Sequence, residues 1–275
     1  MLTVVVALVA LASVAGFVGS LSGLGGGMFI VPVLVIFADV PMQAAVGASL
    51  MAVVATSAGA SVAFVRDGWT NLKVAIVLEC ATVTGAIAGA FLAGFASTTL
   101  LELLFALVML QSAYFSFHKL DSDPLARCDH ICGRLGLGGS FPEPDGSTMS
   151  YGVANLPGGA ALMTVAGLMS GLLGIGSGAL KVIAMDQIMH LPLKVSSATS
   201  NFMIGVTAGA GAMVFLARGY ISPMIAAPVA LGVTAGAIAG SKLLPYANVR
   251  WLRVGFVGIL VLVTAEMGWR AITGV

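Results

Sequence analysis

Long apolar segments dominate the chain, and short polar stretches separate them. Residues 1–38 carry no charge at all. Further apolar runs lie at about 43–65, 72–95, 99–118, 151–189, 194–217, 221–243 and 249–272. A helix needs about 20 apolar residues to cross a hydrocarbon core of about 30 Å, so six of the runs predict one crossing each. The pattern predicts an all-α integral membrane protein.

Runs 1–38 and 151–189 are too long for a single crossing. At 1.5 Å per residue, each would form a helix of roughly 57 Å. Each run also has a glycine cluster near its middle, Gly-Leu-Gly-Gly-Gly at 23–27 and Gly-Ile-Gly-Ser-Gly at 174–178. Because glycine adopts backbone conformations that interrupt a helix, each run is predicted to form a membrane hairpin of two short helices.

The sequence repeats itself after 151 residues, without a gap from about Gly16 to Leu107. The two glycine clusters align with one another, and the block Gly85–Gly89 recurs unchanged as Gly236–Gly240. An ungapped register with matched glycines indicates a duplicated membrane unit. Each unit would contain one glycine-broken hairpin and three transmembrane helices.

The repeat divides the chain into three parts. The first membrane repeat is predicted at 1–118 and the second at 151–275. Residues 119–150, which carry three prolines and most of the charge outside the apolar runs, are predicted to form a solvated connecting loop.

Lysine and arginine positions predict how the repeats are oriented, because cytoplasmic loops carry an excess of these residues. If the hairpins return to the side that they entered from, each repeat has three crossings and the two repeats are inverted. The cations then divide nine to two between the sides: Arg66, Lys73, Lys119, Arg127, Arg134, Lys194, Lys242, Arg250 and Arg253 against Arg218 and Arg270. If the long runs are single crossings instead, the lysines and arginines divide less unevenly between the two sides of the membrane. We therefore predict inverted repeats, termini outside and loop 119–150 in the cytoplasm.

Composition supports a multi-pass protein of a bacterial-type inner membrane. Hydrophobic residues make up 59% of the chain and charged residues 8%, whereas soluble domains carry about 25% charged residues. The net charge of +1 includes no basic block, which argues against nucleic acid as a partner. Three cysteines do not imply a disulfide framework.

Duplicated membrane units with interrupted helices are typical of secondary transporters, whose substrate sites lie at the interruptions. A broken helix exposes backbone N–H groups and a positive N-terminus, which suit an anion. The candidate residues at the two interruptions are Gly25, Gly26, Gly27, Gly176, Ser177 and Gly178. The alternative is that these glycines only allow close helix packing.

Lys181 follows the second interruption within apolar sequence, where the first repeat has Ile30. A lysine inside a membrane is costly and by default functional. It could bind an anionic substrate or pair with Asp186. The alternative is a lysine whose stem lies in lipid and whose ammonium reaches the interface.

Hydroxyl and amide side chains begin the helix after each hairpin. Ser49 occupies this position in the first repeat, and Thr199, Ser200 and Asn201 in the second. Such groups can hydrogen-bond an oxyanion. They can equally join helices to one another, at about 0.6 kcal/mol for each bond.

Glu79, Asp186 and His190 are candidates for proton coupling. The alternatives are that Glu79 lies at the membrane interface beside Lys73, and that Asp186 and His190 belong to a surface loop. Residues that could bind a metal occur together in the loop, but a closed zinc site needs four ligands. These residues are Cys128, His130 and Cys132. We expect no metal, no other cofactor and, without a nucleophile beside a base, no enzyme.

The glycine clusters combine with further motifs: Pro32 after the first cluster, Pro41 before Gly47-Ala48-Ser49, and Pro192 before Ala198-Thr199-Ser200-Asn201. With these motifs the chain resembles the TauE/SafE sulfite exporter family, whose members are linked with export or uptake of sulfite and organosulfonates. The second repeat departs from the family pattern at Ser177, Lys181 and Ile183.

The resemblance implies a secondary transporter of a small sulfur-containing oxyanion that works by alternating access. Its partners would be that anion and the lipid bilayer, and the sequence is compatible with an oligomer. The alternatives are a passive anion channel and a carrier of another small anion or of a metal ion.

Overall fold

The computed structural model describes residues 2–22, 27–117, 128–142 and 147–243, together with isolated residues between 258 and 269. The described chain is mainly helical. Its helices are α1 Leu2–Ser22, α2 Gly27–Ala38, α3 Met42–Arg66, α4 Leu72–Ala93, α5 Thr98–Phe117, α6 His130–Arg134, α7 Leu156–Leu173, α8 Gly178–Ile183, α9 Leu193–Ala217 and α10 Pro223–Leu243. A π-helical turn, Ala184–Ile188, continues α8, and two strands, β1 Gly139–Pro142 and β2 Thr148–Tyr151, pair antiparallel.

Three of the described helices, α4, α7 and α9, are long and apolar enough to cross a membrane. Shorter apolar stretches lie in α1, α2, α3, α5 and α10. Large apolar side chains such as Phe95, Met213 and Leu231 are more than two-thirds exposed, which suits contact with lipid. The predicted all-α membrane class is confirmed. Run 249–272 lies largely outside the described residues.

Run 151–189 turns back on itself as predicted. The backbone takes left-handed conformations at Gly174, Gly176 and Ser177, with φ of 70°, 74° and 48°, and this turn separates α7 from α8. At the far end of the run, the amide of Ala154 donates to the carbonyl of Met189 at 3.2 Å. The run therefore ends beside its own beginning, so it forms a hairpin.

The helices recur at the spacing of the sequence repeat. α2 begins at Gly27 and α8 at Gly178, 151 residues later, and α3 at Met42 corresponds in the same way to α9 at Leu193. The interruption at 23–26 between α1 and α2 lies outside the described residues.

At glycines, α1 approaches α10 and α4 approaches α7 so closely that no side chain would fit between the backbones. A Cβ atom placed on Gly16 would lie 2.3 Å from the carbonyl oxygen of Val233. A Cβ atom on Gly167 would lie 2.0 Å from that of Thr82. Both residues of the second contact are displaced by 151 positions from those of the first. Small residues permit this backbone approach in membranes, so the glycine-rich composition has a packing role.

The order of contacts gives the directions of the paired helices. Gly85 approaches Thr164, and Gly89, one turn later, approaches Leu168 one turn later. Helices α4 and α7 therefore run parallel.

Helices α3 and α9 pack against one another in the centre and run antiparallel. Ser57 of α3 lies beside Gly205, whereas Leu50, two turns earlier, lies beside Gly211 further along α9. The hydroxyl of Ser57 also donates to the carbonyl of Asn201 at 2.5 Å.

The connecting segment is attached to the bundle through three buried side chains. In its described part, α6 and the β1–β2 ribbon bury Cys132, Leu137 and Phe141 in one apolar cluster with residues of α4, α7 and α9. Most of its other described residues are exposed. The apolar residues between its charges are therefore enough to attach it to the bundle.

Asn71 fastens this segment to α4. Its side-chain oxygen caps α4 by accepting from the amide of Val74, and its side-chain nitrogen donates to the carbonyl of Leu137 and the hydroxyl of Tyr151. The segment thus covers the ends of the helices that carry the candidate site.

Candidate functional site

The two hairpins meet at Ser49 in α3. Its hydroxyl lies 2.8 Å from the carbonyl oxygen of Gly174 and 3.1 Å from that of Gly27. One acceptor belongs to the turn of the second hairpin, and the other is the first residue of α2. Ser49 therefore joins the turn of the second hairpin to the start of α2. Gly25 and Gly26 lie outside the described residues.

Ser200 makes the corresponding contact in the other half. Its hydroxyl donates to the carbonyl of Gly178 at 3.2 Å, and both residues lie 151 positions after Ser49 and Gly27. Each serine therefore fixes the start of a short hairpin helix, α2 or α8, to the long helix that follows. In this conformation the hydroxyls of Ser49 and Ser200 donate their protons to backbone carbonyls.

Two other serines flank the turn of the second hairpin with their hydroxyls unengaged. Ser177 is 3% exposed and Ser170 is fully buried, and neither hydroxyl has a hydrogen-bond partner among the described residues. Buried polar groups are normally bonded, so two such donors at one turn mark a place suited to a polar ligand. Gly176, between them in the chain, packs against Ile204 and Val53.

Sequence reasoning singled out Ser177 but missed Ser170. The available signal was a serine one turn before the interruption, in an otherwise apolar helix. Such serines usually bond their own helix backbone, so the sequence did not distinguish this one.

Lys181, Thr207 and Glu79 form a buried polar chain across three helices. The ammonium of Lys181 in α8 donates to the hydroxyl of Thr207 in α9 at 2.5 Å. That hydroxyl lies 2.6 Å from Oε1 of Glu79 in α4. Lys181 and Thr207 are fully buried and Glu79 is 9% exposed. Oε2 of Glu79 is buried and has no hydrogen-bond partner among the described residues.

The contacts of Glu79 and Lys181 bear on two alternatives that the sequence left open. Glu79 is buried and bonded to Thr207, while Lys73 donates to the carbonyl of Gly136 at 3.2 Å. The pairing of Glu79 with Lys73 is therefore wrong. Lys181 is fully buried, so an ammonium that reaches the membrane interface is wrong as well.

Thr199 and Asn201 are engaged by neighbouring backbone. The hydroxyl of Thr199 accepts from the amide of Asn71 at 3.0 Å, at the start of α4. The side-chain nitrogen of Asn201 donates to the carbonyl of Ser197 at 3.0 Å within α9. In this conformation Thr199 therefore joins α9 to the start of α4, whereas the Asn201 side chain bonds within its own helix.

Asp186 and His190 lie at the exit of the second hairpin. Asp186 is 2% exposed and belongs to the π-helical turn, so its placement in a surface loop is wrong. His190 is partly buried and takes a left-handed backbone conformation with φ of 57°.

Cys128, His130 and Cys132 lie in the connecting segment. Within the described ranges, no group of three or more histidine, cysteine or acidic residues is arranged to hold a metal ion. Burial, together with the neighbouring Asp129, raises the pKa of the Cys132 thiol to about 11. The Asp129 carboxylate accepts from the amides of Cys132 and Asn155, and these bonds hold its pKa below the usual range.

Comparison with known proteins places these features in a transporter family. The family model described as sulfite exporter TauE/SafE matches residues 8–267. The probable membrane transporter protein YunE of Bacillus subtilis (strain 168) is 29% identical over 245 residues, which cover 86% of each chain. The probable membrane transporter protein YdhB of the same organism is 26% identical over 228 residues, 82% of this chain and 83% of that one. No solved structure matches.

Proposed function

Because the chain belongs to the sulfite exporter TauE/SafE family and is a membrane transporter, not an enzyme, we propose that it carries a small sulfur-containing oxyanion such as sulfite or an organosulfonate. The family supports the substrate class. The observation that carries the proposal is the contact of Ser49 with the start of α2 and with the turn of the second hairpin, because it brings Gly27 and Gly174 to one place inside the bundle.

The proposed transport mechanism is alternating access between two inverted repeats. Helices α3 and α9 occupy equivalent positions 151 residues apart, and their antiparallel packing is what inverted units would produce. The hairpin between Ala154 and Met189 adds support, because a hairpin leaves each repeat with an odd number of crossings. Inverted repeats provide two equivalent conformations that open to opposite sides.

The proposed anion site lies at the second hairpin turn, facing Gly27. Ser170 and Ser177 would donate their hydroxyl protons to the oxyanion, and Lys181, three residues into α8 from Gly178, would balance its charge. Ser49 and Ser200 lie beside this place through their contacts with Gly174 and Gly178, and Asn201, the residue after Ser200, bonds within α9. They would become donors to the anion only after those contacts open.

The proposed orientation places the connecting segment in the cytoplasm. Lys73 contacts this segment at Gly136, and Lys194 lies 5.4 Å from the ring of Trp69 at the same end of the bundle. Arg218 begins the turn after α9, at the other end of that helix. Two cations beside the segment support a cytoplasmic side there and an inner-membrane location.

Binding of labelled sulfite to the purified protein tests the site. We expect Ser177→Ala to raise the dissociation constant at least about tenfold, since a hydrogen bond to a charged group contributes about 1.5–3 kcal/mol. Ser170→Ala should have a similar effect. Ser112→Ala is the matched control, because Ser112 is also buried but donates to the carbonyl of Val108 within α5.

Unchanged sulfite affinity in both Ser170 and Ser177 variants, with a functional wild type, would remove the anion from this turn. Absence of saturable binding of sulfite and of methanesulfonate to the wild type would exclude a sulfur oxyanion as the substrate.

A further inference from the structure

We propose that Lys181, Thr207 and Glu79 form a proton-coupling switch, in which anion binding to the Lys181 ammonium is linked to the uptake of one proton by the Glu79 carboxylate. This inference rests on the proposed transport of an anion. It adds a coupling ion, a stoichiometry and a residue that joins the two events.

The geometry allows the ammonium to serve two alternative acceptors. Lys181 lies one turn after Gly178, about 4.5 Å along the helix axis, so its stem starts close to the hairpin turn. In the present structure its ammonium is directed to Thr207 and, through that hydroxyl, to Glu79. A lysine side chain is long and flexible, and rotation about its stem would turn the same ammonium towards an anion at the turn.

The charge balance forces a link between the two events. An ammonium and a carboxylate buried in a bundle within lipid stabilise one another, and removal of either leaves an uncompensated charge. An anion that takes over the Lys181 ammonium therefore leaves Glu79 unpaired. A proton from water neutralises the carboxylate at that moment. When the anion leaves, Lys181 returns to Thr207 and the proton is released.

Glu79 is suited to receive that proton. Oε1 accepts from Thr207, while Oε2 is buried with no partner among the described residues. A protonated carboxyl can use the second oxygen as donor or acceptor, so the free oxygen costs less once the group is neutral. The residue as a whole is 9% exposed, whereas Lys181 is fully buried.

Other titratable groups near these helices are engaged elsewhere. Lys73 on α4 donates to Gly136, and Lys194 on α9 lies over Trp69. Helix α7, which packs along α4, carries no titratable residue. Asp186, in the turn after α8, is buried and has interactions of its own.

The positions related by the sequence repeat carry no charge. Shifted by 151 residues, Lys181 corresponds to Ile30, Thr207 to Thr56 and Glu79 to Ala230. Thr56 bonds within its own helix, to the carbonyls of Ala52 and Val53. The switch therefore joins Glu79 of the first repeat to Lys181 and Thr207 of the second, and the equivalent positions provide a neutral set for comparison.

Proteoliposomes that contain a pH-sensitive dye test the proposal, with labelled methanesulfonate as the probe because it does not titrate near neutral pH. Counterflow at equal pH reports the carrier alone. Net uptake with simultaneous dye readings reports protons per anion. For the wild type we expect acidification of about one proton per anion, an uptake driven by an inward proton gradient, and no effect of an imposed membrane potential.

Variants assign the coupling to the three residues. Glu79→Gln should lower gradient-driven uptake at least tenfold relative to its own counterflow. The double variant Lys181→Ile/Glu79→Ala introduces the residues found at the equivalent positions of the repeat. It removes both charges together and should show no proton influx. Thr207→Val should reduce the coupling ratio, whereas Thr56→Val should match the wild type. Asp186→Asn should retain proton influx.

The possible failures are distinguishable. Wild-type counterflow without proton influx, or a Glu79→Gln variant with the wild-type ratio of protons to anion, would overturn the switch and leave the transporter intact. Loss of proton influx in Asp186→Asn but not in Glu79→Gln would overturn the assignment to Glu79. Absence of methanesulfonate counterflow in the wild type would count against the proposed function itself.

Discussion

Lys181 is a charged residue within a hydrophobic helix, and its ammonium is held by a threonine hydroxyl that itself contacts a carboxylate. At the scale of single residues, the sequence identifies Lys181 because a buried cation in lipid is costly. It does not identify the partner, because Glu79 lies 102 positions earlier in the chain and only the contact of α4 with α9 brings the two together.

Cys132 offers a residue-scale test of the folded connecting segment. Its thiol is fully buried and has a pKa of about 11, and only the thiolate reacts with maleimides. In a Cys80→Ser/Cys128→Ser variant at pH 8, we expect alkylation of Cys132 to be about 100-fold slower in the native protein than after unfolding in detergent.

The control for this experiment is Asp129→Ala, which removes the acceptor of the Cys132 and Asn155 amides and should increase the native alkylation rate. Equal rates in native and unfolded protein would show that the segment does not pack on the bundle.

At the scale of helices, apolar run lengths and glycine positions predict most of what the structure contains. Run 43–65 corresponds to α3, run 194–217 to α9, and run 151–189 to a hairpin broken at its glycines. These features follow from local sequence, because membrane thickness fixes helix length and glycine fixes the break. The fold of the connecting segment was missed because its stability comes from contacts with α4, α7 and α9, which its composition does not reveal.

The glycine contacts between α4 and α7 give an element-scale prediction. A methyl group on Gly167 would lie 2.0 Å from the Thr82 carbonyl oxygen, so the helices would have to separate. We expect Gly167→Ala to lower stability by about 1–3 kcal/mol, measured as an earlier thermal unfolding midpoint in detergent. Gly16→Ala, the equivalent change between α1 and α10, should act similarly.

Gly209→Ala is the matched control in α9, where the nearest atom would be a methyl group of Val54 at 3.9 Å. It should be neutral or stabilising, because alanine is favoured over glycine in a helix by about 0.5–1 kcal/mol. A Gly167 variant as stable as this control would contradict the close packing of α4 and α7.

At the scale of the whole molecule, the sequence repeat corresponds to repeated helix contacts. Contacts recur with both partners displaced by 151 residues, as in Gly16 with Val233 and Gly167 with Thr82. The repeat predicts two equivalent halves. It does not predict that Lys181, Thr207 and Glu79 break the equivalence as a connected set, since Glu79 lies in the first repeat, Lys181 lies in the second, and each charge is a single residue in an apolar run.

The proposed division of labour follows from this partial symmetry. Equivalent halves supply the two conformations of a carrier. The polar chain between α4 of the first repeat and α8 and α9 of the second supplies a group that responds to charge, and the contact of Ser49 with Gly27 and Gly174 supplies the place for the anion.

Counterflow in proteoliposomes tests the central claim most directly. Labelled sulfite is supplied outside, and vesicles are loaded in separate samples with unlabelled sulfite, methanesulfonate, a carboxylate or chloride. We expect transient, saturable accumulation of label with sulfite or methanesulfonate inside and none with chloride. Passive equilibration without saturation would indicate a channel, and exchange only with the carboxylate would contradict the sulfur oxyanion as substrate.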